Sequence, residues 1–85
     1  MQLSVNSALQ QAITAHRQGN FQEAERYYKL VIHAQPFHPD ANHNLGVLAV
    51  SLNRTEAAIP FFKTALNSDP KIEQFWVSYI NALIK

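Results

Sequence analysis

The sequence predicts an all-α protein built from antiparallel helix hairpins that stack one on the next. Apolar residues recur at intervals of three and four along most of the chain, which is typical of amphipathic helices. Glycine, asparagine and proline interrupt this pattern where helices are expected to end. Residues of matching type also recur 34 positions apart, which is typical of a helical repeat protein. The matched pairs are Ala12 and Gly46, Gly19 and Asn53, Ala24 and Ala58, Tyr28 and Phe62, and Pro36 and Pro70.

The first predicted repeat covers about residues 5–38 and contains two helices. Gly19 should end the first helix with a left-handed residue. In NFQE, Asn20 and Glu23 match a capping box that would open the second helix. Residues at intervals of three and four should form the buried face of each helix. In the first helix these are Leu9, Ala12, Ile13 and His16, and in the second they are Ala24, Tyr27, Tyr28, Val31 and Ile32.

The second predicted repeat covers about residues 39–72 and follows the same plan. Its first helix includes residues 45–52, the break falls at Asn53, and Thr55 is the expected cap of the next helix. Residues of about 72–85 then form either half of a third repeat or a capping helix. The expected buried face of the fourth helix consists of Ala58, Ile59, Phe62, Ala65 and Leu66.

Gly46 lies inside a predicted helix, where glycine costs about 1 kcal/mol relative to alanine. A close contact between the paired helices explains this cost, and we expect Gly46 to face Ala58 across the hairpin. Ile80 holds the corresponding place in the third unit and is too large for such a contact. The last helix is therefore either a terminal cap or the start of a further repeat in a longer protein. The apolar stretch FWVSYINALIK favours the longer protein, since a cap carries a polar outer face.

The composition excludes several classes of function. The chain has 85 residues, a formal net charge of +1 and no cysteine. Disulfides and thiolate metal sites are therefore excluded, and the charge is too low to predict binding to nucleic acid or to an anionic membrane. Because no signal-like or membrane-spanning stretch is found, the sequence predicts a cytoplasmic domain.

Neither catalysis nor a metal or cofactor is predicted. No serine lies in a nucleophile motif, no glycine-rich loop could hold a phosphate, and the carboxylates are scattered. The spacing of His33, His38 and His43 places no two of them on one helical face, and His16 lies far from them in sequence. We therefore expect hydrogen-bonding or solvated histidines rather than metal ligands.

The 34-residue pattern of paired helices resembles the tetratricopeptide repeat (TPR). The first unit departs from the family pattern at Gln11, where leucine is usual, and Trp76 stands at the aromatic position of a third unit. The resemblance implies two and a half repeats, that is, five helices in a short right-handed solenoid. The matching residues are Ala12, Gly19, Ala24, Tyr28 and Pro36 in the first unit, and Leu45, Gly46, Ala58, Phe62, Ala65 and Pro70 in the second.

The resemblance also implies a concave surface, lined by the first helix of each repeat, that binds a peptide or a partner helix. Gln10, Asn44 and Ser78 are 34 residues apart and should form a polar row along it. Asn44 resembles the asparagine ladder of the O-linked N-acetylglucosamine transferase superhelix. The same face includes Val50 and Asn81. The candidate peptide-binding residues are Gln10, Ile13, His16, Arg17, His43, Asn44, Val47, Ser51, Gln74 and Ser78.

Chaperone-binding TPR domains hold a pair of carboxylates at the C-terminus of their ligands with lysine, asparagine and arginine. This clamp is absent from the sequence. The comparable places hold Leu9, Ile13, Gln74 and Ser78.

The expected function is therefore protein–protein interaction without catalysis. An alternative is the N-terminal repeat segment of a larger glycosyltransferase-type enzyme. ALQQAITAHRQGNFQEAERYY and HPDANHNLGVLA resemble opening repeats of bacterial TPR proteins that continue into glycosyltransferase or sulfotransferase domains. A second alternative is a structural module that self-associates as a homodimer through its C-terminal helix. The candidate residues for self-association are Trp76, Tyr79, Ile80 and Leu83.

Overall fold

The computed structural model describes residues 4–84, and this range folds into five α-helices with no β-strand. This confirms the predicted all-α class and the number of helices. Short connections of a few residues join the helices in sequence. The helices are α1 (Val5–Arg17), α2 (Phe21–Ala34), α3 (Pro39–Ser51), α4 (Thr55–Ser68) and α5 (Glu73–Ile84).

The turn inside each hairpin has the same hydrogen bonds, as the 34-residue interval predicts. Gly19 and Asn53 both have a positive φ, of 79° and 60° respectively. The following amides reach back five residues, from Asn20 to the carbonyl of Ala15 and from Arg54 to that of Ala49, both at 2.8 Å. These bonds define a Schellman motif, which needs a left-handed residue and therefore favours glycine or asparagine. The predicted breaks at Gly19 and Asn53 are thus confirmed.

The predicted caps of the second helices are wrong. Asn20 precedes α2, but its side chain accepts no bond from the helix, and Glu23 pairs with Arg26 at 2.8 Å instead. Thr55 is the first residue of α4, and Arg54 holds the cap position without a side-chain bond. An N-cap side chain needs an extended backbone. Asn20 has a ψ of 72° because its amide closes the Schellman turn, and this orientation prevents capping.

The helices stack so that α1, α3 and α5 form one layer. Each hairpin packs tightly, α1 on α2 and α3 on α4, and α3 and α5 pack in turn on the second helix of the preceding hairpin. The first helices also contact each other in order, α1 with α3 and α3 with α5, whereas within the described residues no Cα of α2 lies within 8 Å of one of α4. The layer of first helices is therefore the closer-packed one. We call the exposed side of this layer, formed by α1, α3 and α5, the inner surface, because the more closely spaced helices of a solenoid lie on its concave side.

Gly46 is buried against the aromatic ring of Phe62. A Cβ atom added at Gly46 would lie 2.6 Å from Cδ1 and 2.9 Å from Cζ of that ring, closer than carbon atoms approach each other without a bond. Ala58 is itself fully buried, and its place opposite Gly46 stays a prediction. The ring of Phe62 packs against bare backbone at this point, because only glycine leaves room for it.

Two histidines form part of the packing. His16 contacts the hydroxyl of Tyr28 through Nδ1 at 3.2 Å, within the first hairpin. His43 contacts Ser78 Oγ through Nε2 at 2.8 Å, between α3 and α5, and its ring stacks on that of Phe75 with centroids 4.8 Å apart. Burial lowers the pKa of both imidazoles, and for His43 it outweighs the opposite effects of the Asn44 side chain and the Asp40 carboxylate. These contacts confirm the prediction of hydrogen-bonding histidines.

Replacing Gly46 with leucine should lower the free energy of unfolding by about 1–3 kcal/mol, because a large side chain is forced against the Phe62 ring. Chemical denaturation followed by circular dichroism measures this change. A matched control is Ala57→Leu, which changes an exposed position on α4 and should have little effect. Unchanged or increased stability of Gly46→Leu would contradict the close contact.

Acid should destabilise the fold through His43 and His16. Since folding lowers the pKa of both below the usual value of about 6.5, the unfolded chain binds more protons just below that pH. The stability that depends on neutral His43 and His16 is fully present above the usual pKa of histidine. It is lost as the pH falls toward the lowered pKa of the folded state. Urea unfolding between about pH 7.5 and pH 5.5 tests this, and His43→Gln should flatten the profile while His33→Gln, at an exposed site, should not. A profile that is the same for His43→Gln and the parent chain would rule out His43 as a source of the acid sensitivity.

Candidate functional site

The inner surface carries almost no charge. Within the described helices α1, α3 and α5, Arg17, Asp40 and Glu73 are the only residues of the Asp, Glu, Lys and Arg types. Arg17 lies in the last turn of α1, and Asp40 and Glu73 lie in the first turns of α3 and α5. These placements suit the helix dipoles and leave the middle of the surface to amide, hydroxyl and apolar side chains. A ligand there meets hydrogen-bonding groups rather than an electrostatic field.

A pocket of about 210 Å³ opens on this surface between α3 and α5. Its walls are short side chains, and its deepest member is Phe62, which belongs to α4 and is 2% exposed. The small size of Ser78 and Ala82, one turn apart on α5, leaves the gap through which this ring is reached. The lining residues are Val47, Val50, Ser51, Phe62, Ser78, Asn81 and Ala82.

The polar side of the pocket is held by hydrogen bonds. Ser78 is fixed by His43 at 2.8 Å, and Gln74 approaches the same oxygen from one turn away at 3.5 Å. Ser51 donates its hydroxyl to the carbonyl of Val47 at 3.1 Å, so its oxygen remains able to accept. Because burial lowers the pKa of His43, its imidazole is neutral near pH 7 and adds no charge to the pocket wall.

The structure brings part of the predicted peptide-binding set together. Val47, Ser51 and Ser78 line the pocket, and His43 and Gln74 contact Ser78. The remaining predicted residues lie on α1 or elsewhere on α3, outside the pocket: Gln10, Ile13, His16, Arg17 and Asn44.

The surroundings of the other predicted residues vary. His16 turns toward α2, where it contacts Tyr28 and meets the ring of Phe21 edge-on at a centroid distance of 5.8 Å. In the predicted polar row, Ser78 bonds to His43 and not to Asn44, which is half-buried. Gln10 is exposed on α1.

Sequence reasoning missed Phe62 and Ala82 as pocket residues. The aromatic at Phe62 matches Tyr28 in the repeat and was expected to be core, which it is. Its role in lining the pocket depends on the short side chains of α5, which leave the ring accessible. The signal in the sequence is the pair Ser78 and Ala82, four residues apart on a helix that is otherwise rich in large side chains.

The predicted self-association residues divide into two groups. Trp76, Ile80 and Leu83 are each about half exposed on the outer side of α5. Tyr79 is partly buried and packs against the clusters formed by α4 and α5. The buried aromatic of α5 is Phe75, which is 3% exposed, and not its neighbour Trp76.

No group of three His, Asp or Glu side chains in residues 4–84 is arranged to hold a metal ion. Across the same span, each helix is too short or too polar to traverse a lipid bilayer.

Comparison with known proteins identifies the repeat. A family model for the tetratricopeptide repeat matches residues 9–71, which is more than half of the chain. A comparison with curated proteins finds no match. Tetratricopeptide repeats generally mediate protein–protein interaction and are typically not catalytic. With its two stacked helix hairpins and the matched span of 9–71, the chain belongs to the tetratricopeptide repeat family.

Proposed function

We propose that this chain is a protein-interaction module that binds a segment of a partner protein along its inner surface. The pocket between α3 and α5 is the observation that supports this most directly. It lies on the layer of first helices and combines an aromatic floor with hydroxyl and amide groups at its rim. This combination of apolar lining with a few placed polar groups is typical of ligand sites.

The lining specifies the chemistry of the partner segment. An apolar side chain of the partner would enter the pocket over Phe62 and contact Val47 and Val50. Full burial of such a side chain is worth about 1.5–3 kcal/mol. Ser51 and Asn81 at the rim would bond to the backbone of the segment, each bond contributing roughly 0.5–1.5 kcal/mol.

The segment itself is expected to be uncharged where it crosses the middle of the surface. The ionisable residues Arg17, Asp40 and Glu73 lie at helix ends, away from the pocket, and two of them are acidic. A charged partner side chain would lose its hydration at the pocket without gaining an opposite charge. Peptides that end in two carboxylates are therefore poor ligands, because no cation lines the pocket to receive them.

Selection from a phage-displayed library of random peptides should yield ligands with a central apolar residue and no charged residue next to it. Calorimetry with a selected peptide should then show that Asn81→Ala weakens binding by roughly 3- to 10-fold, the loss of one hydrogen bond. Val47→Glu should remove measurable binding, since it places a charge in the pocket wall.

Asn67→Ala is the matched control, because Asn67 is an exposed asparagine on α4, outside the pocket. It should leave peptide affinity unchanged. Selected peptides that bind all three variants as tightly as the parent chain would contradict the proposed site. Selection of peptides with acidic C-termini, whose binding falls steeply with salt, would contradict the proposed chemistry.

A further inference from the structure

We propose that a second copy of this chain packs on the outer side of α5, forming an antiparallel helix pair whose two-fold axis passes by Ile80. The contact surface consists of large apolar side chains that the fold leaves exposed. We call it the α5 outer face. Its residues, with their exposed fractions, are Trp76 (46%), Val77 (41%), Ile80 (49%), Leu83 (54%) and Ile84 (76%).

The α5 outer face is the side of this helix that α1 to α4 do not cover. Phe75 and Ala82 are buried on the opposite side, against α3 and α4. In the two complete hairpins, the positions that match Ile80 are Ala12 and Gly46, and both are buried beneath the second helix. At Ile80 the small residue is replaced by a large one. A helix that packs on this face must therefore contact side chains and cannot approach the backbone of α5 closely.

The spacing of the exposed residues fits a second copy of the same helix. Counting from Ile80, large apolar side chains stand at three and four residues before it and at three and four residues after it. A helix with this symmetric pattern complements itself when turned end for end. An antiparallel pair would place Trp76 against the partner's Ile84, Val77 against the partner's Leu83, and Ile80 against its own counterpart. This is the pattern that an isologous two-fold contact requires.

Area and charge both permit such a dimer. Five half-exposed large side chains present on the order of 500 Å² per copy, so that a pair buries on the order of 1,000 Å², near the lower limit for a specific interface. Glu73 is the one charged residue of α5 within its described span, and it lies at the first residue of the helix. In the antiparallel pair it falls beyond the partner's Ile84 and remains at the solvent-exposed rim.

One side chain of this face is already positioned. The indole nitrogen of Trp76 donates to the carbonyl of Pro70 at 2.9 Å, which fixes the ring against the loop between α4 and α5. A fixed aromatic loses little conformational freedom when a partner covers it. The pocket residues Ser78 and Asn81 lie on another side of α5, so that dimer formation and peptide binding use different surfaces.

Sedimentation of the whole chain tests the proposal. Dimer should be present at tens of micromolar and should dissociate on dilution, as expected for a small interface. Because Trp76 is the only tryptophan, its emission should shift to shorter wavelength as the concentration rises. Ile80→Glu should abolish both effects. Leu30→Glu, at a similarly exposed leucine on α2, should abolish neither. Circular dichroism checks that both variants remain folded.

Cysteine cross-linking tests the direction of the helices, since the chain has no cysteine of its own. Ile80→Cys should form a disulfide dimer by itself. Trp76→Cys and Ile84→Cys should cross-link when the two are mixed and not when each is oxidised alone. Leu30→Cys is the control and should remain monomeric.

Two results would overturn the proposal. One is a monomer at all concentrations with a tryptophan emission that does not change. The other is efficient cross-linking of Trp76→Cys to itself, which requires either a parallel pair or an axis that passes by Trp76 rather than Ile80. Neither result bears on the inner surface, because the peptide-binding variants are measured separately.

Discussion

The fold depends on the contact between the backbone of Gly46 and the ring of Phe62. Phe62 is among the largest side chains that are fully buried, and an added Cβ at Gly46 would overlap its ring. This contact closes the second hairpin, which in turn packs on α2 on one side and on α5 on the other. The helix propensity lost at glycine, about 1 kcal/mol, is offset by the apolar area that the ring removes from water.

The same ring links the core to the inner surface. The ring of Phe62 packs against Gly46 and also lines the pocket between α3 and α5. The imidazole of His43 lies 5.6 Å from this ring by centroid and holds Ser78 at the pocket wall. Because burial lowers its pKa, His43 supplies a hydrogen bond without a charge. The neutral, partly apolar character of the pocket therefore follows from how the hairpin is packed.

Much of the architecture can be predicted from the interval of 34 residues. The interval alone predicts the positions of both left-handed residues, Gly19 and Asn53, since the turn geometry they serve needs a residue without steric penalty. The capping box at Asn20 could not be predicted correctly, because the same residue closes a Schellman turn and cannot satisfy both geometries. Short-range patterns are reliable where one interaction decides the conformation and fail where two compete.

The site was less predictable than the fold. Val47, Ser51 and Ser78 were predicted on the inner surface and line its pocket, since position in the repeat determines which way they face. The contact of Gly46 with the ring of Phe62 depends on the rotation of one helix against another, which periodicity does not specify. The choice between Phe75 and Trp76 as the buried aromatic of α5 depends on the same rotation, because adjacent residues of a helix point about 100° apart.

A double-mutant cycle at Gly46 and Phe62 is the most direct test of the contact on which the hairpin and the pocket depend. The free energies of unfolding of the parent chain, Gly46→Ala, Phe62→Leu and the double variant are compared by denaturant titration. With the ring present, Gly46→Ala should destabilise the fold by about 1–3 kcal/mol. With leucine at position 62, it should have no cost or should stabilise the helix by up to about 1 kcal/mol. Equal effects of Gly46→Ala in the two backgrounds would show that the ring and the glycine are not coupled, and would contradict the close contact.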